Sequence, residues 1–403
     1  MKQSGVIIPV IFCALWLIPA VVFAADITGY VKSFGYLNPN EPARFSRAGA
    51  RLQLAADGRI GTQAAYYGAM DFHYDAAEAL HSPLSERDDG LSIYPVEAYV
   101  ELYTEHADFR LGQQFLFWGR TDWVNPTDNI NPWDYQNISP EIEDYRIPIM
   151  AAKGDLYLGP VTLQIVGIPF FEPDRIPLPV DSVVTPATTL ENVQYGLRLS
   201  SYFGRLDYSV SYYHGHGKQP AILHQFGPGE PVLYGKYLSR DILGFDFVTT
   251  FGAWALKGEA AYVITEDVDG TDPFVDNPFI DSVLGLDYLP SRAVSLTGQL
   301  VHHYKFHYRE QVEAHNPNGP GPQQTYSTAV RAEWEVMDYV NYSLIGIYNF
   351  EEGDFFVLSF FTWDMADAVN ITMGGLLFDG PAISPFGRSR RADNLFLELK
   401  VAF

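Results

Sequence analysis

The sequence predicts an all-β fold: a transmembrane antiparallel up-and-down β-barrel of eighteen strands, or sixteen in the alternative count. Three observations predict it. Period-2 alternation of apolar and polar residues recurs in blocks of about ten, rich in Tyr, Phe, Leu and Val, while helical periodicity is nearly absent. Beyond the first 24 residues no apolar stretch approaches the roughly 20 residues that a spanning helix needs. Long and short connections alternate along the chain. A soluble sandwich has no reason to do this, whereas an outer-membrane barrel has long external loops and short periplasmic turns.

Residues 1–24 are a separate object. Lys2 supplies a positive start, Val6 to Val22 an apolar run, and Val22-Phe23-Ala24 the small residues of a cleavage site, so a cleaved signal peptide precedes one barrel domain over 25–403. Cys13 is the only cysteine, which leaves the mature chain without a thiol, disulfide or Cys-ligated metal. Lys2 leaves with the signal, so 26 basic residues become 25 against 49 acidic ones, a net charge of −24. Such a chain excludes a nucleic-acid partner. Its 26 Tyr and 27 Phe suit girdles at the boundaries between lipid, lipopolysaccharide and water.

The elements follow in order. Strands at 26–35 and 46–55 come first, the second setting Leu52 and Leu54 against Arg47, Arg51 and Gln53; Asp57-Gly58-Arg59 is a polar turn into 60–73. In 93–103, Val96, Ala98, Val100 and Leu102 oppose Glu97 and Glu101, and in 108–117 Phe109, Leu111 and Phe115 oppose Arg110 and Gln114. Strands 149–157 and 161–170 precede 192–202, where Val193, Tyr195, Leu197 and Leu199 oppose Gln194 and Arg198; Gln194, facing water, should accept a charge. Phe203-Gly204-Arg205 turns the chain into 206–215, and 241–250, 254–264 and 281–289 follow. Pro290-Ser291-Arg292 leads to 293–306, and 326–336 sets Val330, Ala332 and Trp334 against Arg331, Glu333 and Glu335. Strands 340–350 and 354–363 are joined by Glu351-Glu352-Gly353, the one short outer gap, where a split or fused strand would give sixteen. After 369–378 comes 394–403, with Leu395, Leu397, Leu399, Val401 and Phe403 on one side and Asn394, Glu398 and Lys400 on the other. A lipid wall and a watery lumen produce this two-faced pattern, since charge is costly on the lipid side. Terminal Phe403 after alternating apolar residues resembles the signature by which the barrel-assembly machinery, an expected partner, recognises its clients.

The longest outer connection, 118–148, contains Trp118-Gly119-Arg120, Asn125-Pro126-Thr127-Asp128 and Asn131-Pro132-Trp133-Asp134. Asx-Pro pairs impose turns, so this loop should be ordered. It is expected to fold into the lumen, with Trp118, Trp123 and Trp133 as apolar walls. The pore-lining candidates are therefore Arg120, Asn125, Asp128, Asn131, Trp133 and Asp134 on the loop, and Arg47, Arg51, Glu97, Glu101, Arg110, Arg198, Arg331 and Glu333 on the wall.

Gly112-Gln113-Gln114 through Trp118-Gly119-Arg120, with Asn125-Pro126, Asn131-Pro132, Asp134, Pro169-Phe170-Phe171-Glu172-Pro173 and Arg175-Ile176-Pro177, resembles a porin-like family of largely uncharacterised proteobacterial outer-membrane barrels related to alginate-export porins. The shared segment covers roughly 108–180. The resemblance implies an eighteen-stranded pore with an arginine-rich throat for a polyanion. This chain departs from that pattern because Glu97, Glu101, Asp246, Glu259, Glu333 and Glu335 accompany its arginines.

Acidic residues also crowd the outer connections, a rim that attracts cations and repels anions. In Glu266-Asp267-Val268-Asp269-Gly270-Thr271-Asp272, the residues Asp267, Asp269 and Asp272 have calcium-loop spacing, but no bidentate Glu follows, so a solvated acidic loop is the stronger reading and no cofactor is expected. His302, His303 and His307 lack a nearby nucleophile, and His214 with His216 lacks a third ligand, so neither an enzyme nor a metal centre is expected. The functional expectation is an outer-membrane channel that passes or exports a small or chain-like solute through a lumen of mixed charge narrowed by loop 118–148. The alternative is a non-conducting barrel that acts as scaffold or partner for a periplasmic efflux or lipid-transfer system.

Overall fold

The computed structural model describes residues 25–40, 42–77, 90–176, 182–225, 232–316 and 321–403. The signal-peptide expectation lies outside them. Among the described residues twenty-one strands form: β1 Asp26–Asn38, β2 Arg44–Ile60, β3 Ala64–Asp75, β4 Leu91–Tyr103, β5 Ala107–Gln114, β6 Ile149–Leu158, β7 Val161–Ile168, β8 Ser182–Val184, β9 Gln194–Phe203, β10 Leu206–His216, β11 Ala221–Gln225, β12 Val232–Lys236, β13 Ser239–Phe251, β14 Trp254–Ile264, β15 Phe279–Ser291, β16 Val294–Lys305, β17 Gln324–Met337, β18 Val340–Asn349, β19 Asp354–Ala366, β20 Val369–Asp379 and β21 Asn394–Ala402. Eighteen of them make one sheet, each antiparallel to the next, and β1 pairs with β21 to close it. Closure leaves no unpaired edge, the condition for strands to cross a bilayer. The remaining three, β8, β11 and β12, form a small separate sheet from the outer connections, in segments without sequence periodicity.

Every expected barrel strand forms, with shifted ends. Asp57-Gly58-Arg59 is not a turn: β2 continues through it, pairing Asp57 with Tyr67, and the chain reverses at Gly61, whose φ of 68° admits the left-handed region at no steric cost. The short outer gap is real, β18 and β19 pairing down to Asn349 opposite Asp354, so the count stays eighteen. In β4 the outward set changes phase. Ala69 pairs with Glu97 but Met70 pairs with Pro95, so Val96 is a bulge and Pro95, unable to donate to the ladder, sits where regular pairing breaks.

The outer surface is a belt of apolar side chains. Leu197 and Leu199 on β9, Val210 on β10, Leu284 and Leu286 on β15, and Leu395, Leu397 and Leu399 on β21 are all exposed on the protein's outside. In water such a surface would be untenable, whereas in hydrocarbon it is the required one. We expect Leu197→Arg to lower unfolding free energy by about 2–4 kcal/mol, measured by urea titration of the folded barrel in lipid. Lumen-facing Thr162→Arg serves as the control, and equal losses from both would refute the assigned faces. Gln194 corrects one expectation. It is fully buried and accepts a hydrogen bond from the Tyr213 hydroxyl at 2.7 Å, so it offers no watery position for a charge.

The interior is filled rather than empty. One cluster joins Ile149, Val166, Ile168, Tyr213, Ile242, Ala261 and Val263 of the wall to Leu116, Trp118 and Ile130 of the β5–β6 connection. The other, built on Phe34, Tyr36, Ile345, Leu358 and Phe396 on the wall's inner face, is covered by Trp123 and Ile138 of the same connection.

Candidate functional site

The β5–β6 connection, residues 115–148, enters the barrel. Its local order comes from side chains that stand in for backbone partners. Asp128 N–H donates to the Asn125 carbonyl at 3.1 Å, closing the turn that Pro126 initiates. Asn131 Oδ1 accepts from Leu116 N at 2.7 Å and its Nδ2 donates to the Ile147 carbonyl at 2.8 Å, tying the two roots of the loop together. Gly119 has φ of 87°, and a Cβ there would lie 2.6 Å from Glu259 Oε1, so only glycine allows the close approach that follows.

That approach anchors the loop tip to β14. The buried Glu259 carboxylate accepts from Arg120 N and Thr121 N, from Thr121 Oγ1 at 2.8 Å, and from Thr127 Oγ1 and N at 2.8 and 3.2 Å. Beside it the Arg120 guanidinium meets Asp246 of β13 at 3.1 Å, and Arg198 of β9 holds the same carboxylate at 3.2 Å. Lys257 joins loop Asp122 at 2.9 Å to Asp287 of β15 at 2.7 Å. Val124 N donates to Gln299 on β16 at 3.4 Å.

A second anchor lies across the bore. Glu141 reaches Lys32 of β1 at 3.0 Å and Lys400 of β21 at 2.8 Å. Asp144 pairs with Lys32 and, at 2.5 Å, with Arg51 of β2. Burial pushes the Asp144 carboxyl up, but the Lys32 and Arg51 charges outweigh it and hold the group below its ordinary value. In ring order β13 is the tenth of eighteen strands from β1, so the two anchors grip opposite walls. The segment is a plug strung across the lumen.

The expected pore-lining residues sort into three groups. Asn125, Asp128, Asn131 and Asp134 serve the plug's own architecture: Asn125 Nδ2 donates to the Trp118 carbonyl, Asp128 pairs with Arg146, and Asp134 accepts from Gln136 N at 3.0 Å and Asn137 Nδ2 at 3.1 Å, while also meeting Arg175 of the β7–β8 connection at 3.3 Å. Trp133 stacks under the Arg146 guanidinium at 4.0 Å. Arg51, Arg120 and Arg198 bind plug to wall, as described. Arg47, Glu101, Arg110, Arg331 and Glu333 stay on the wall, and Glu97 touches the root of the plug. Arg47 lies 5.1 Å over the Tyr36 ring, Glu97 accepts from Phe115 N at 3.0 Å, Arg110 pairs with Glu101 at 2.5 Å, and Arg331 pairs with Glu333. Sequence reasoning missed Lys32, Asp122, Glu141, Asp144 and Lys257. The signal available was the surplus of acids in the loop, which needed cations facing them.

On the outer side a cavity of about 430 Å³ lies between the plug and the outer connections, lined by Trp133, Asp174, Lys218, Gln219 and Arg240 among others. Asp174 accepts from Trp133 N at 2.8 Å and from Gln219 at 3.2 Å, and burial raises its pKa. Burial also pushes the Lys218 ammonium down to about 8, against the opposing pull of Asp174 and Glu172. A lowered lysine pKa means the folded state penalises the charged form, so this local stability rises as pH climbs from about 8 toward the unfolded value near 10.5. We expect amine-reactive labelling of Lys218 to titrate with a midpoint of about 8; a midpoint above 10, near an ordinary lysine, would contradict this.

In the 265–278 connection, Asp267 accepts from Asp272 N at 2.7 Å and from Thr271 Oγ1 at 3.3 Å. Among the described residues no group of three or more His, Cys, Asp or Glu is placed to hold a metal ion. His214 and His303 each face an aspartate, Asp241 at 2.8 Å and Asp281 at 2.7 Å.

Residues 82–278 match the profile of a family described as "Protein of unknown function (DUF1302)". This stretch includes the whole plug and its β13 and β14 anchors. No curated protein sequence matches the chain. Among solved structures it is similar to OccK1 (OpdK) of Pseudomonas aeruginosa, at TM-score 0.58 and 8% identity over 94% of this chain and 98% of that one. OccK8 (OprE) of the same organism gives 0.55 at 10% identity, over 94% and 98%. The chain is thus a closed eighteen-strand barrel of the bacterial outer membrane, with a porin-like architecture.

Proposed function

We propose that the protein is an outer-membrane channel that passes or exports a small or chain-like solute, with the plug at 115–148 setting the bore and paired charges on the wall setting the filter. The observation that carries this reading is the plug's attachment to opposite walls, at Glu259 and Asp246 on one side and Lys32, Arg51 and Lys400 on the other. A plug held only at its root would leave the bore to the wall. Strung across, it is bordered by cavities of about 430 Å³ under the outer connections, about 320 Å³ beside Asp144 and Arg146, and about 260 Å³ near the Asp367-Ala368 turn. Most of the plug-to-wall cations are matched by a carboxylate, so the passage as a whole favours neither anions nor cations strongly. Residues 1–24 would direct export, and Phe403 would engage the assembly machinery. No chemical step is part of this reading.

The test is replacement of Asn125 to Asp134 by a short Gly-Ser linker. Single-channel conductance should rise while the barrel stays folded, because the turn-fixing prolines, the Glu259-binding Thr127 and the Trp133 wall are lost together. Unchanged conductance would mean that the wall alone defines the filter. The same attachment also fits a plugged, non-conducting scaffold, and the absence of conductance from the parent in planar bilayers would select that reading.

A further inference from the structure

Within the plug, residues 136–144 form a smaller flap. Its ends are clamped by Asp134 N donating to the Tyr145 carbonyl at 2.7 Å and Ile147 N to the Pro132 carbonyl at 2.9 Å, with an isolated bridge between Trp133 and Arg146. The flap can therefore move about this clamp while the Glu259 anchor stays in place. Among the described residues, its ion pairs to the wall all run through Glu141 and Asp144, and its apolar attachment is Ile138 against the inner-wall cluster.

The wall those acids touch is a set of cations. Among the described residues, Lys32, Arg51 and Lys400 converge with two wall carboxylates, Asp71 bound to Arg51 and Glu398 lying 3.8 Å from Lys32. With the flap away the wall is left one positive charge in excess. Lys32 is almost entirely buried, and taking two of its three carboxylates from a buried ammonium is unfavourable. Opening is therefore costly unless another anion takes the place of Glu141 and Asp144. Each of these bridges two cations, Glu141 joining Lys32 to Lys400 and Asp144 joining Lys32 to Arg51, so one singly charged ion cannot replace both.

Glu141 is reached from the short-turn side, while Asp144 borders a separate cavity of about 320 Å³ together with Tyr94, Gln113 and Arg175. The 260 Å³ cavity is lined by Glu141, Glu398 and Lys400 together with Thr362, Asn370, Thr372 and the Asp367-Ala368 turn. Glu141 and Lys400 are its partly exposed members, whereas Lys32 lies behind them. A solute entering from the short-turn side meets the Lys400–Glu141 pair first.

We infer that Lys32, Arg51 and Lys400 form a binding site for a solute carrying two or more carboxylates, occupied at rest by the flap's own acids and opened by exchange from the short-turn side. This rests on the channel reading above. The exchange is non-covalent: carboxylate replaces carboxylate on the same three cations, and Ile138 is drawn off its apolar seat.

The test uses the full mature barrel in planar bilayers with citrate as probe and acetate as monocarboxylate control at equal ionic strength. Citrate added on the short-turn side should raise conductance about twofold or more, and acetate should not. The Glu141→Gln/Asp144→Asn protein should conduct at the raised level without citrate and gain nothing from it. Independently of conductance and of any variant, citrate should speed amide exchange in residues 136–144 of the parent and leave the Glu259-bound residues 120–127 unchanged. A conducting parent that shows neither a citrate response nor a change in exchange overturns the inference. Faster exchange in a protein that never conducts would keep the site and overturn the channel reading instead.

Discussion

Replacing Glu259 by alanine releases the tip of the plug and raises conductance, while the barrel's own unfolding changes little. The carboxylate accepts from two backbone N–H groups and a hydroxyl at Arg120 and Thr121, and from the hydroxyl and N–H of Thr127. Removing it leaves the N–H groups of Arg120, Thr121 and Thr127 without an acceptor, while the two hydroxyls keep the Val124 carbonyl at 2.7 Å and Asn125 Oδ1 at 3.4 Å. Unpaired buried donors cost about 1–3 kcal/mol each and some will find water, so a loss of about 3–5 kcal/mol in docking free energy is expected. Glu259→Gln should fall between, since one carbonyl oxygen remains to accept. Amide exchange of residues 119–127 and single-channel conductance are the measurements. Parent-like values of both in the alanine variant would show that apolar packing alone seats the tip.

The second large effect is at Trp118. The indole is almost fully buried in the cluster of Ile149, Val166 and Ile168, and its Nε1 donates to Gln164 of β7 at 2.6 Å. Trp118→Ala empties a site walled by rigid strands that cannot collapse inward, so the cost lies in the range of about 3–5 kcal/mol. Gly196 supplies a complementary test from the wall side. A Cβ at that position would lie 2.7 Å from the indole Cη2, so Gly196→Val should expel the ring and reproduce the Trp118→Ala phenotype with the tryptophan still present. Should Gly196→Val conduct like the parent, the indole is not what seats the root of the plug.

The strands were legible because a membrane barrel imposes one rule on every residue: lipid outside, water or plug inside. Alternation such as Leu395, Leu397 and Leu399 against Glu398 and Lys400 runs through the strands apart from the phase change in β4, and the alternating gap lengths follow from the up-and-down course of the chain. The errors sit where local chemistry competes with that rule. Asp57-Gly58-Arg59 has turn residues, yet pairing with β3 carries β2 through it. Val96 fits the alternation, but Pro95 forces a bulge beside it. The small sheet of β8, β11 and β12 gave no signal because strands of three to five residues are too short to show a period. At the site, the loop and its turn-forming Asx-Pro pairs could be picked out, but its partners could not. Which cation meets Glu141 is decided by ring geometry that brings residues 259 positions apart together.

That same contact has a consequence for the order of events during assembly. Glu141 binds Lys32 on the first strand and Lys400 on the last, and these strands pair directly, Lys32 opposite Lys400. The plug carboxylate therefore staples the seam at which the ring closes. Before β1 meets β21 the site has only one of its halves, so completion of this contact can happen only at or after closure, when every strand has arrived. The chain carries in its middle a part that cannot finish folding until both ends have, and the seam, where a barrel is easiest to pry apart, is braced from within as soon as it does.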